Sequence, residues 1–265
     1  MRKLNLIGGG FQHAHSTTWW KKPKYVKWVK DKSSDISFYL DHTIMSGLND
    51  NDDKVKYAWL NESKAIVNTA FDSVIQNYKE VCEKYEFVFT SYKKMCQLST
   101  NIKWINVNSY WIESPKIYDK MKLVSMITSL KNVCKGHVYR KTWIDKLKGD
   151  VDMFGNGFKP VKLKEEGLAD YMFSVAMEND SYETYFTEKI LDCFATGTIP
   201  VYWGAPDIGE HFNMDGIILL DENFSVNQLS AEYYYSKMDA VKDNFERVMN
   251  MDLPEDLIYK NYLKK

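Results

Sequence analysis

Residues 171–203 read YMFSVAMENDSYETYFTEKILDCFATGTIPVYW, and their pattern indicates the fold class. It begins with an apolar run, Met172–Met177, that predicts a β-strand. A polar loop follows, and apolar residues then recur at helical spacing, which predicts a helix over Thr187–Thr196. Gly197 is placed to end that helix in the left-handed conformation, before a second strand over Pro200–Trp203. Strand, helix and strand in this order are typical of a parallel sheet wrapped by helices.

The same alternation extends along the chain in both directions. Helices are predicted over Lys64–Lys84 and Gly136–Leu147, and the tail from Ala231 also has a helical pattern. The other predicted strands are Lys3–Ile7, Ile36–Leu40, Val55–Leu60, Phe87–Ser91, Ile102–Val107, Leu123–Ile127, Val151–Phe154 and Gly216–Leu220. The sequence therefore predicts an α/β protein with parallel sheets.

The pattern restarts after Trp111, which places a domain boundary between residues 112 and 122. We expect two Rossmann-like domains, residues 1–115 and residues 116–265. Two successive parallel α/β units predict an interdomain cleft, in which the strand ends of both sheets face a shared ligand. Such a cleft suits an enzyme with two substrates.

Composition excludes several classes of protein. The chain has 265 residues, is 45% hydrophobic and carries a net charge of −1, which is not the composition of a disordered chain or of a general polyanion binder. We expect no nucleic-acid partner. The longest apolar runs are far shorter than a membrane-spanning helix. The apolar stretch near Met1 is also too short for a signal peptide.

The four cysteines show no pairing or zinc-binding spacing; they are Cys82, Cys96, Cys134 and Cys193. Reduced thiols are typical of the cytosol, so this pattern predicts a cytoplasmic location.

The polar loop that precedes the predicted helix has two interpretations. Thr187 or Thr184 can cap the helix, and the free N–H groups with Lys189 in the first turn then form an anion site. The alternative is an ordinary cap, an Asn turn and an exposed Glu-Lys pair. Local features alone leave both interpretations open.

A wider pattern resembles the core motif of the α1,3-fucosyltransferases, the family ten glycosyltransferases. It consists of Glu178-Asn179, five residues, Tyr185-Phe186-Thr187-Glu188-Lys189, and then residues 195–206, ATGTIPVYWGAP. Upstream, residues 122–129, Arg140 and residues 151–155 resemble the lead-in of the same family. The resemblance covers about residues 120–221.

This resemblance implies a GT-B-like fold and an enzyme that transfers fucose from GDP-fucose to a glycan hydroxyl. It further implies inversion at the sugar carbon and no need for a metal or other cofactor. Arg140 and Lys189 resemble the diphosphate clamp of the family, and Glu188 its donor-site acid. The donor-binding residues implied by the resemblance are Arg140, Glu178, Asn179, Tyr185, Glu188 and Lys189. The expected partners are the nucleotide sugar and a glycan acceptor.

An inverting transfer also needs a base that takes the proton from the attacking hydroxyl. Glu62 is the candidate, because residues 57–63, YAWLNES, resemble the family's strand that ends in a Glu before a helix. The alternative is that Glu62 is favoured by the dipole at a helix start. Glu62 and Glu188 are therefore the two predicted catalytic residues.

Two further motifs have ordinary explanations. Asp150 and Asp152 resemble a metal-binding DxD, yet they fall in a strand-to-loop segment that carries no metal in this family, and we predict no metal site. Gly8–Gly10 does not complete the dinucleotide-binding pattern, so an NAD-dependent oxidoreductase is a weak alternative. His13 and His15 after it are candidates for shaping the acceptor site.

Two further alternatives keep the same fold. One is transfer of another GDP-linked deoxysugar, and the other is a catalytically silent protein that binds a nucleotide sugar or a glycan.

Overall fold

The computed structural model describes residues 1–9, 16–31, 33–106 and 109–264. They form two compact units. The first unit contains the described residues of Met1–Asn108 and Asp252–Lys265, together with Glu183–Tyr185. The second unit consists of Ser109–Tyr182 and Phe186–Met251.

The predicted strands occur in the predicted order, and further elements lie between them. The strands are β1 (Arg2–Ile7), β2 (Val26–Val29), β3 (Ile36–Leu40), β4 (Val55–Leu60), β5 (Phe87–Thr90), β6 (Ile102–Trp104), β7 (Lys122–Ile127), β8 (Asp152–Phe154), β9 (Tyr171–Met177), β10 (Ile199–Trp203) and β11 (Ile218–Leu219). The α-helices are α1 (Ile44–Gly47), α2 (Asn68–Gln76), α3 (Tyr78–Lys84), α4 (Lys135–Leu147), α5 (Glu188–Ala195), α6 (Ala231–Ser236), α7 (Met238–Asn250) and α8 (Pro254–Ile258). A π-helix, Tyr259–Leu263, continues α8, and short 3₁₀ helices include Asp41–Thr43 and Lys164–Gly167.

The first unit is built on a six-stranded sheet in the order β2-β1-β3-β4-β5-β6. Every pair of neighbouring strands in it is parallel. One apolar cluster includes Leu4, Phe38 and Trp59, together with Ile258 of the last α-helix. A second cluster joins Tyr39 and neighbouring strand residues to α2 and α3. The sheet is therefore buried on both faces, as parallel sheets usually are.

The second unit is built on a five-stranded parallel sheet in the order β11-β10-β9-β7-β8. Every residue of the central strand β9 is buried. Helix α5 connects β9 to β10, and Gly197 after it has a φ of +69°, which is the predicted left-handed end of the helix. The β-α-β unit predicted from residues 171–203 is confirmed.

The predicted fold class, an α/β protein with two parallel sheets, is also confirmed. Three local features differ from the prediction. The helix expected over residues 64–84 is two helices that meet at Asn77, and β2 was not predicted. The predicted strand over residues 102–107 ends at Trp104, and Val107 lies outside the described residues.

The expected domains, residues 1–115 and 116–265, stay a prediction. The compact units divide the chain before Ser109 and include Asp252–Lys265 in the first unit. No helix in the described part of the chain is long and apolar enough to span a membrane.

Candidate functional site

A cavity of about 180 Å³ lies in the second unit, where β7 and β9 reach their carboxyl ends. Ligands of parallel α/β sheets bind at this edge. The cavity combines apolar strand residues with cations and carboxylates. Its lining consists of Ile127, Thr128, Ser129, Arg140, Lys164, Leu168, Ser174, Val175, Ala176, Met177, Glu188, Lys189, Asp192 and Cys193.

Arg140 reaches the cavity from α4 and is only 6% exposed. Its Nη2 donates to the carbonyl oxygens of Met177 and Glu178, at 2.8 and 3.1 Å, and to Oδ1 of Asn179 at 3.0 Å. These acceptors follow one another at the end of β9. The guanidinium is therefore held against the strand end by three successive residues.

The start of α4 lies unusually close to this strand end. A Cβ atom at Gly136 would lie 2.2 Å from the carbonyl oxygen of Asn179. No other residue type fits at position 136 without a shift of the backbone, so glycine allows α4 to place Arg140 at the cavity.

The side-chain amide of Asn179 is fixed by two donors. Its Oδ1 lies 3.0 Å from Nη2 of Arg140 and 3.2 Å from Nε2 of His137. Nδ1 of His137 accepts the backbone N–H of Val133, so Nε2 carries the ring proton and donates it to Asn179. Burial, followed by the charge of Arg140, lowers the pKa of His137, which favours this neutral form. Nδ2 of Asn179 has no acceptor among the described residues.

Glu178 is fully buried and fixes the start of α5. Its two carboxylate oxygens accept the backbone N–H of Thr187, at 2.8 Å, and the hydroxyl of Thr187, at 2.6 Å. Thr187, one of the two residues predicted to cap this helix, is its N-cap. Burial raises the pKa of Glu178, against the opposing charge of Lys189.

Lys189 lies in the first turn of α5 among three oxygens. Its Nζ is 3.1 Å from Oγ1 of Thr187, 3.2 Å from Oε1 of Glu188 and 3.5 Å from Oε2 of Glu178. Burial lowers the pKa of Lys189, but the charges of Glu188 and Glu178 outweigh burial and raise it above the ordinary value. The side chain is 25% exposed, so a fixed ammonium group lines the cavity beside the helix N-terminus.

Lys164 forms a second charged cluster with α5. Its Nζ lies 2.6 Å from Oδ2 of Asp192, 3.7 Å from Oε1 of Glu188 and 4.6 Å from the centre of the Trp111 ring. Burial would raise the pKa of Glu188, yet Lys189 and Lys164 outweigh burial and lower it to about 2. Glu188 is therefore ionised at neutral pH.

Thr128 adds an unused polar atom to the cavity. Its side-chain oxygen is buried and has no hydrogen-bond partner in the part of the chain that the structure describes, although the residue is only 7% exposed. Buried polar atoms are normally satisfied, so this hydroxyl indicates a place for a polar ligand group. Together, the three cations of the lining, a helix N-terminus and polar side chains can hold an anion and stabilise negative charge that develops on it.

Glu62 lies in the first unit, two residues after β4. Its Oε1 accepts the backbone N–H of Ser63 at 2.7 Å. Helix α2 begins only at Asn68, so the alternative that Glu62 sits at a helix start is wrong. The residues between them form turns rather than the predicted helix.

Asp41, which follows the neighbouring strand β3, holds the segment that carries Glu62. Its Oδ1 accepts the backbone N–H groups of Asn61 and Glu62, at 2.9 and 3.3 Å. Its φ is +45°, in the left-handed region that non-glycine residues rarely adopt. Burial raises the pKa of Asp41 to about 6, with a further contribution from Glu62, although the two backbone bonds lower it. Strained residues of this kind cluster at functional sites.

The structure brings five of the predicted site residues together in the second unit. They are Arg140, Glu178, Asn179, Glu188 and Lys189. Tyr185 is buried and lies in a segment of the first unit, as does Glu62. The roles of these residues in donor binding and catalysis stay predictions.

Sequence reasoning missed Asp41, His137, Lys164 and Thr128. His137 lies three residues before Arg140, on the same helix face, and that spacing was the one available signal. Lys164 is distant in sequence from α5, and no local pattern connects them. Asp41 could not be distinguished from an ordinary turn residue without its φ angle.

In the described part of the chain, Asp150 and Asp152 belong to no cluster of potential metal ligands. Asp152 accepts the hydroxyl of Tyr171 at 2.7 Å. Over the described ranges, no group of three or more His, Cys, Asp or Glu residues is arranged to hold a metal ion. Gly10, His13 and His15 lie outside the described residues.

A family profile described as glycosyltransferase family 10 (fucosyltransferase), C-terminal part, matches residues 117–249, half of the chain. The chain belongs to glycosyltransferase family 10. The matched region contains every residue of the cavity lining, and the family predicted from the sequence motifs is confirmed.

The sequence matches to individual relatives cover only part of this chain and a smaller part of each relative. Alpha-(1,3)-fucosyltransferase FucT of Helicobacter pylori is 32% identical over 104 residues, which are 38% of this chain and 22% of that protein. GDP-fucose protein O-fucosyltransferase 3 of Gallus gallus is 31% identical over 90 residues, 34% of this chain and 19% of that protein. The matched stretches thus span about a fifth of the length of either relative.

Solved structures show likeness over nearly the whole chain. A crystal structure of an α1,3-fucosyltransferase with GDP matches 99% of this chain and 88% of that chain, with a TM-score of 0.52 and 14% identity. A second crystal structure of an α1,3-fucosyltransferase matches 100% of this chain and 90% of that chain, with a TM-score of 0.50 and 13% identity. At such identities the likeness shows the fold alone, and the GT-B-like fold expected from the sequence is confirmed.

Proposed function

We propose that this family 10 protein is an inverting, metal-independent glycosyltransferase that moves fucose from GDP-fucose to a hydroxyl of a glycan acceptor. The observation that carries the proposal is the pairing of Arg140 and Lys189 with the N-terminus of α5 around one cavity. A leaving nucleoside diphosphate gains negative charge as the sugar departs. Fixed cations and helix N–H groups stabilise that charge in the transition state.

The nature of the donor is supported by the relatives. One solved relative contains GDP, and one curated relative is named for GDP-fucose. In this chain, Lys189 and Arg140 supply the positive charge that a metal ion provides in other transferases. We therefore propose that the reaction needs no metal or other cofactor.

The donor-binding residues are given roles that follow their geometry. Lys189 and Arg140, which line the cavity, bind the diphosphate. Asn179, whose Oδ1 is held by Arg140, donates to the donor through Nδ2. Glu188 is ionised and lines the same cavity, so it accepts hydrogen bonds from donor hydroxyls. Glu178 acts indirectly, because both of its oxygens hold Thr187.

Glu62 is the proposed general base. A carboxylate can take the proton from the acceptor hydroxyl as it attacks the sugar carbon from the face opposite the diphosphate, which inverts that carbon. Tyr185 is proposed as a further donor contact on the strength of the sequence motif. The cytoplasmic location inferred from the cysteines is also a proposal; all four are free in the structure.

A thermal-shift panel with GDP, UDP, CMP and NAD tests the donor. A ligand at about 100 times its Kd adds roughly 2.7 kcal/mol to the free energy of unfolding. GDP should raise the Tm, and NAD should not. A response to UDP or NAD alone would overturn the donor assignment.

Single substitutions test the diphosphate site. Lys189→Ala and Arg140→Ala should each weaken transition-state stabilisation by at least about 2 kcal/mol, because charge-assisted bonds to phosphate are strong. Lys141→Ala on the exposed side of α4 is the matched control and should behave as the wild type. Hydrolysis of GDP-fucose and its transfer to screened glycans are the readouts, with and without excess EDTA. Activity abolished by EDTA would contradict metal independence.

The panel also separates the alternatives. GDP binding with no turnover of any GDP sugar on any glycan would indicate a silent binding protein. Turnover of another GDP-linked deoxysugar in preference to fucose would change the donor sugar while leaving the GDP site intact.

A further inference from the structure

Asp192 is a buried carboxylate of the cavity that has no role in the transfer as proposed so far. It lies in α5, one turn after Glu188, and is only 1% exposed. Its Oδ2 accepts a hydrogen bond from Nζ of Lys164 at 2.6 Å, and its Oδ1 accepts the backbone N–H of Trp111. Lys164 is its one ion-pair partner in the part of the chain that the structure describes. A single lysine therefore balances the charge of this carboxylate.

The two carboxylates that line the cavity hold their protons with different strength. Glu188 lies 3.2 Å from Nζ of Lys189 and 3.7 Å from Nζ of Lys164, and these two lysines lower its pKa to about 2. For Asp192, burial is the largest influence and raises the pKa to about 6, although Lys164 and the N–H of Trp111 lower it. Asp192 is therefore the first of the two to take a proton when negative charge is added to the cavity.

A bound nucleoside diphosphate adds such charge. The cations of the lining are Arg140, Lys164 and Lys189, and its carboxylates are Glu188 and Asp192. GDP carries about three negative charges at pH 7.5, and negative charge in a buried site favours the neutral form of a carboxyl group. Lys164 is placed to respond, because its side chain is 23% exposed and a flexible lysine stem can carry the ammonium group from a carboxylate to a phosphate.

The charged groups that act on Asp192 come from two elements. Lys164 faces it from the 3₁₀ helix Lys164–Gly167, and Glu188 acts on it from α5 itself. The lining residues of β7 and β9 carry no titratable side chain, and α7 packs on α5 through apolar residues such as Val248. Burial raises the pKa of the neighbouring Cys193, so that thiol stays neutral. Among the described residues, Lys164 thus decides how strongly Asp192 holds a proton.

Two groups farther away also titrate close to neutral pH. His137 on α4 has a pKa that burial and then the charge of Arg140 lower. Lys120 has a pKa that burial lowers to about 7, and its Nζ donates to the carbonyl oxygen of Thr196 at the far end of α5, at 2.8 Å. Neither group is bonded to the side chain of Asp192. Substitutions of the three residues therefore separate their contributions.

We propose that Lys164 is a third cation for the diphosphate of the donor, and that Asp192 takes up a proton from solvent when Lys164 leaves it. The carboxylate becomes a neutral carboxylic acid, and the new O–H bond is the only covalent change. Without that proton, the departure of Lys164 would leave an unpaired buried charge, which is costly. The inference rests on the proposed binding of a nucleoside diphosphate in this cavity.

Isothermal titration calorimetry with GDP at pH 7.5, in buffers of different ionisation enthalpy, counts the protons taken up on binding. The wild-type protein should take up at least about half a proton per GDP, because the pKa of Asp192 rises from about 6 to above 7.5. GDP itself does not take up a proton here, since its terminal phosphate is already ionised and bound cations favour that form. The affinity for GDP should fall at least about threefold between pH 7 and pH 8.5.

Substitutions at both ends of the ion pair give distinct results. Asp192→Asn is neutral at every pH, so it should bind GDP without proton uptake and with the same Kd at pH 7 and pH 8.5. Lys164→Met should also lose the uptake, because an unpaired Asp192 is protonated before GDP arrives, and should weaken GDP binding by at least about tenfold. Lys164→Arg should restore the uptake and most of the affinity. A residue with a merely structural role would not change the proton count.

An exposed ion pair of the same unit provides the matched controls. Nζ of Lys237 lies 3.4 Å from Oδ1 of Asp215, and the Asp215 side chain is 76% exposed. Asp215→Asn and Lys237→Met should match the wild type in proton count and in affinity. His137→Gln and Lys120→Met should keep the uptake at saturating GDP. Circular dichroism and Tm show that each variant is folded, and the wild-type proton count needs no variant.

The outcomes separate this inference from the proposed function. GDP binding by the wild type without proton uptake would overturn the inference and leave the proposed donor site standing. Uptake that persists in Asp192→Asn would also overturn it, as would uptake that is lost in His137→Gln or Lys120→Met instead. If neither GDP nor UDP bound to the wild type, the inference would fail together with the proposed nucleotide site.

Discussion

Lys189 and Lys164 keep the carboxylate of Glu188 ionised, although burial alone would favour its neutral form. The folded-state pKa is about 2, below the ordinary value of 4.5. A lowered folded pKa means that the carboxylate stabilises the fold at pH values above 4.5, and that this stabilisation is lost as the pH falls from 4.5 towards 2.

Glu188→Gln should therefore lower the free energy of unfolding by about 2 kcal/mol at pH 7 and by progressively less at acid pH. Urea unfolding of both proteins between pH 2.5 and 7 measures the difference. Glu210→Gln, at an exposed position in the same unit, is the control and should show no such pH dependence. A constant difference across the range would mean that Glu188 is not held ionised by Lys164 and Lys189.

Asp41 combines an unfavourable backbone conformation with two useful hydrogen bonds, and substitutions can separate the two. Asn tolerates a φ of +45° and keeps the Oδ1 acceptor, so Asp41→Asn should remain close to the wild type in stability. Asp41→Gly removes only the hydrogen-bond acceptor. Asp41→Ala removes the acceptor and keeps the strained φ angle, so it should lower the free energy of unfolding by about 2–4 kcal/mol. Urea unfolding gives the order Asn, Gly, Ala; an unaffected Ala variant would contradict the role of Asp41 in holding residues 61 and 62.

Among the elements, the contact between α4 and the end of β9 is the one that places Arg140 at the cavity. Gly136→Ala introduces a Cβ atom 2.2 Å from a backbone oxygen, which cannot move as a flexible side chain does. We expect a loss of about 1–3 kcal/mol in stability and a weaker Tm response to GDP than that of the wild type. Gly209→Ala is the control, because its Cβ meets only the flexible side chain of Met214 at 3.0 Å. An unchanged GDP response in Gly136→Ala would show that α4 can shift without harm to the cavity.

The elements also show how far the sequence could predict this fold. Strands such as Ile36–Leu40 and Val55–Leu60 were predicted with correct bounds, because continuous apolar runs are a strong local signal. The strand β2 was missed because lysines interrupt its apolar residues and only its pairing with β1 makes it a strand. Helix α8 was predicted only as part of a helical tail, and its bonds to Thr17 and Lys24 join residues more than 200 positions apart, which no local pattern contains.

The same contrast applies to the candidate site. The motif from Glu178 to Lys189 lies on one strand, one loop and one helix start, so sequence spacing alone brings most of its residues together. Lys164 reaches the site by its ion pair with Asp192 of α5, and it lies in a 3₁₀ helix that the sequence pattern did not predict. The feature that marks Asp41 is its positive φ angle, and the role of His137 depends on the tautomer that the N–H of Val133 selects. Neither can be derived from the sequence pattern.

At the scale of the whole molecule, the proposed chemistry is divided between the two units. The cavity with its cations belongs to the second unit, whereas Glu62 belongs to the first. Binding of GDP should therefore depend on the second unit, while transfer needs both. A variant of Glu62 is the direct test of this division, because a general base acts only on the transfer step.

Glu62→Gln should keep the fold and the Tm response to GDP, but lose about 10²–10⁴-fold in sugar transfer, the usual contribution of a positioned base. GDP response and transfer are measured on one preparation, with an acceptor found by screening glycans, and Glu80→Gln on the exposed side of α3 serves as the control. Near-normal transfer would mean that Glu62 has a structural role, such as its bond to Ser63, and that the base lies elsewhere in the first unit. If the GDP response disappeared together with transfer, the two functions would not be separable, and the assignment of the donor site to the second unit alone would fail.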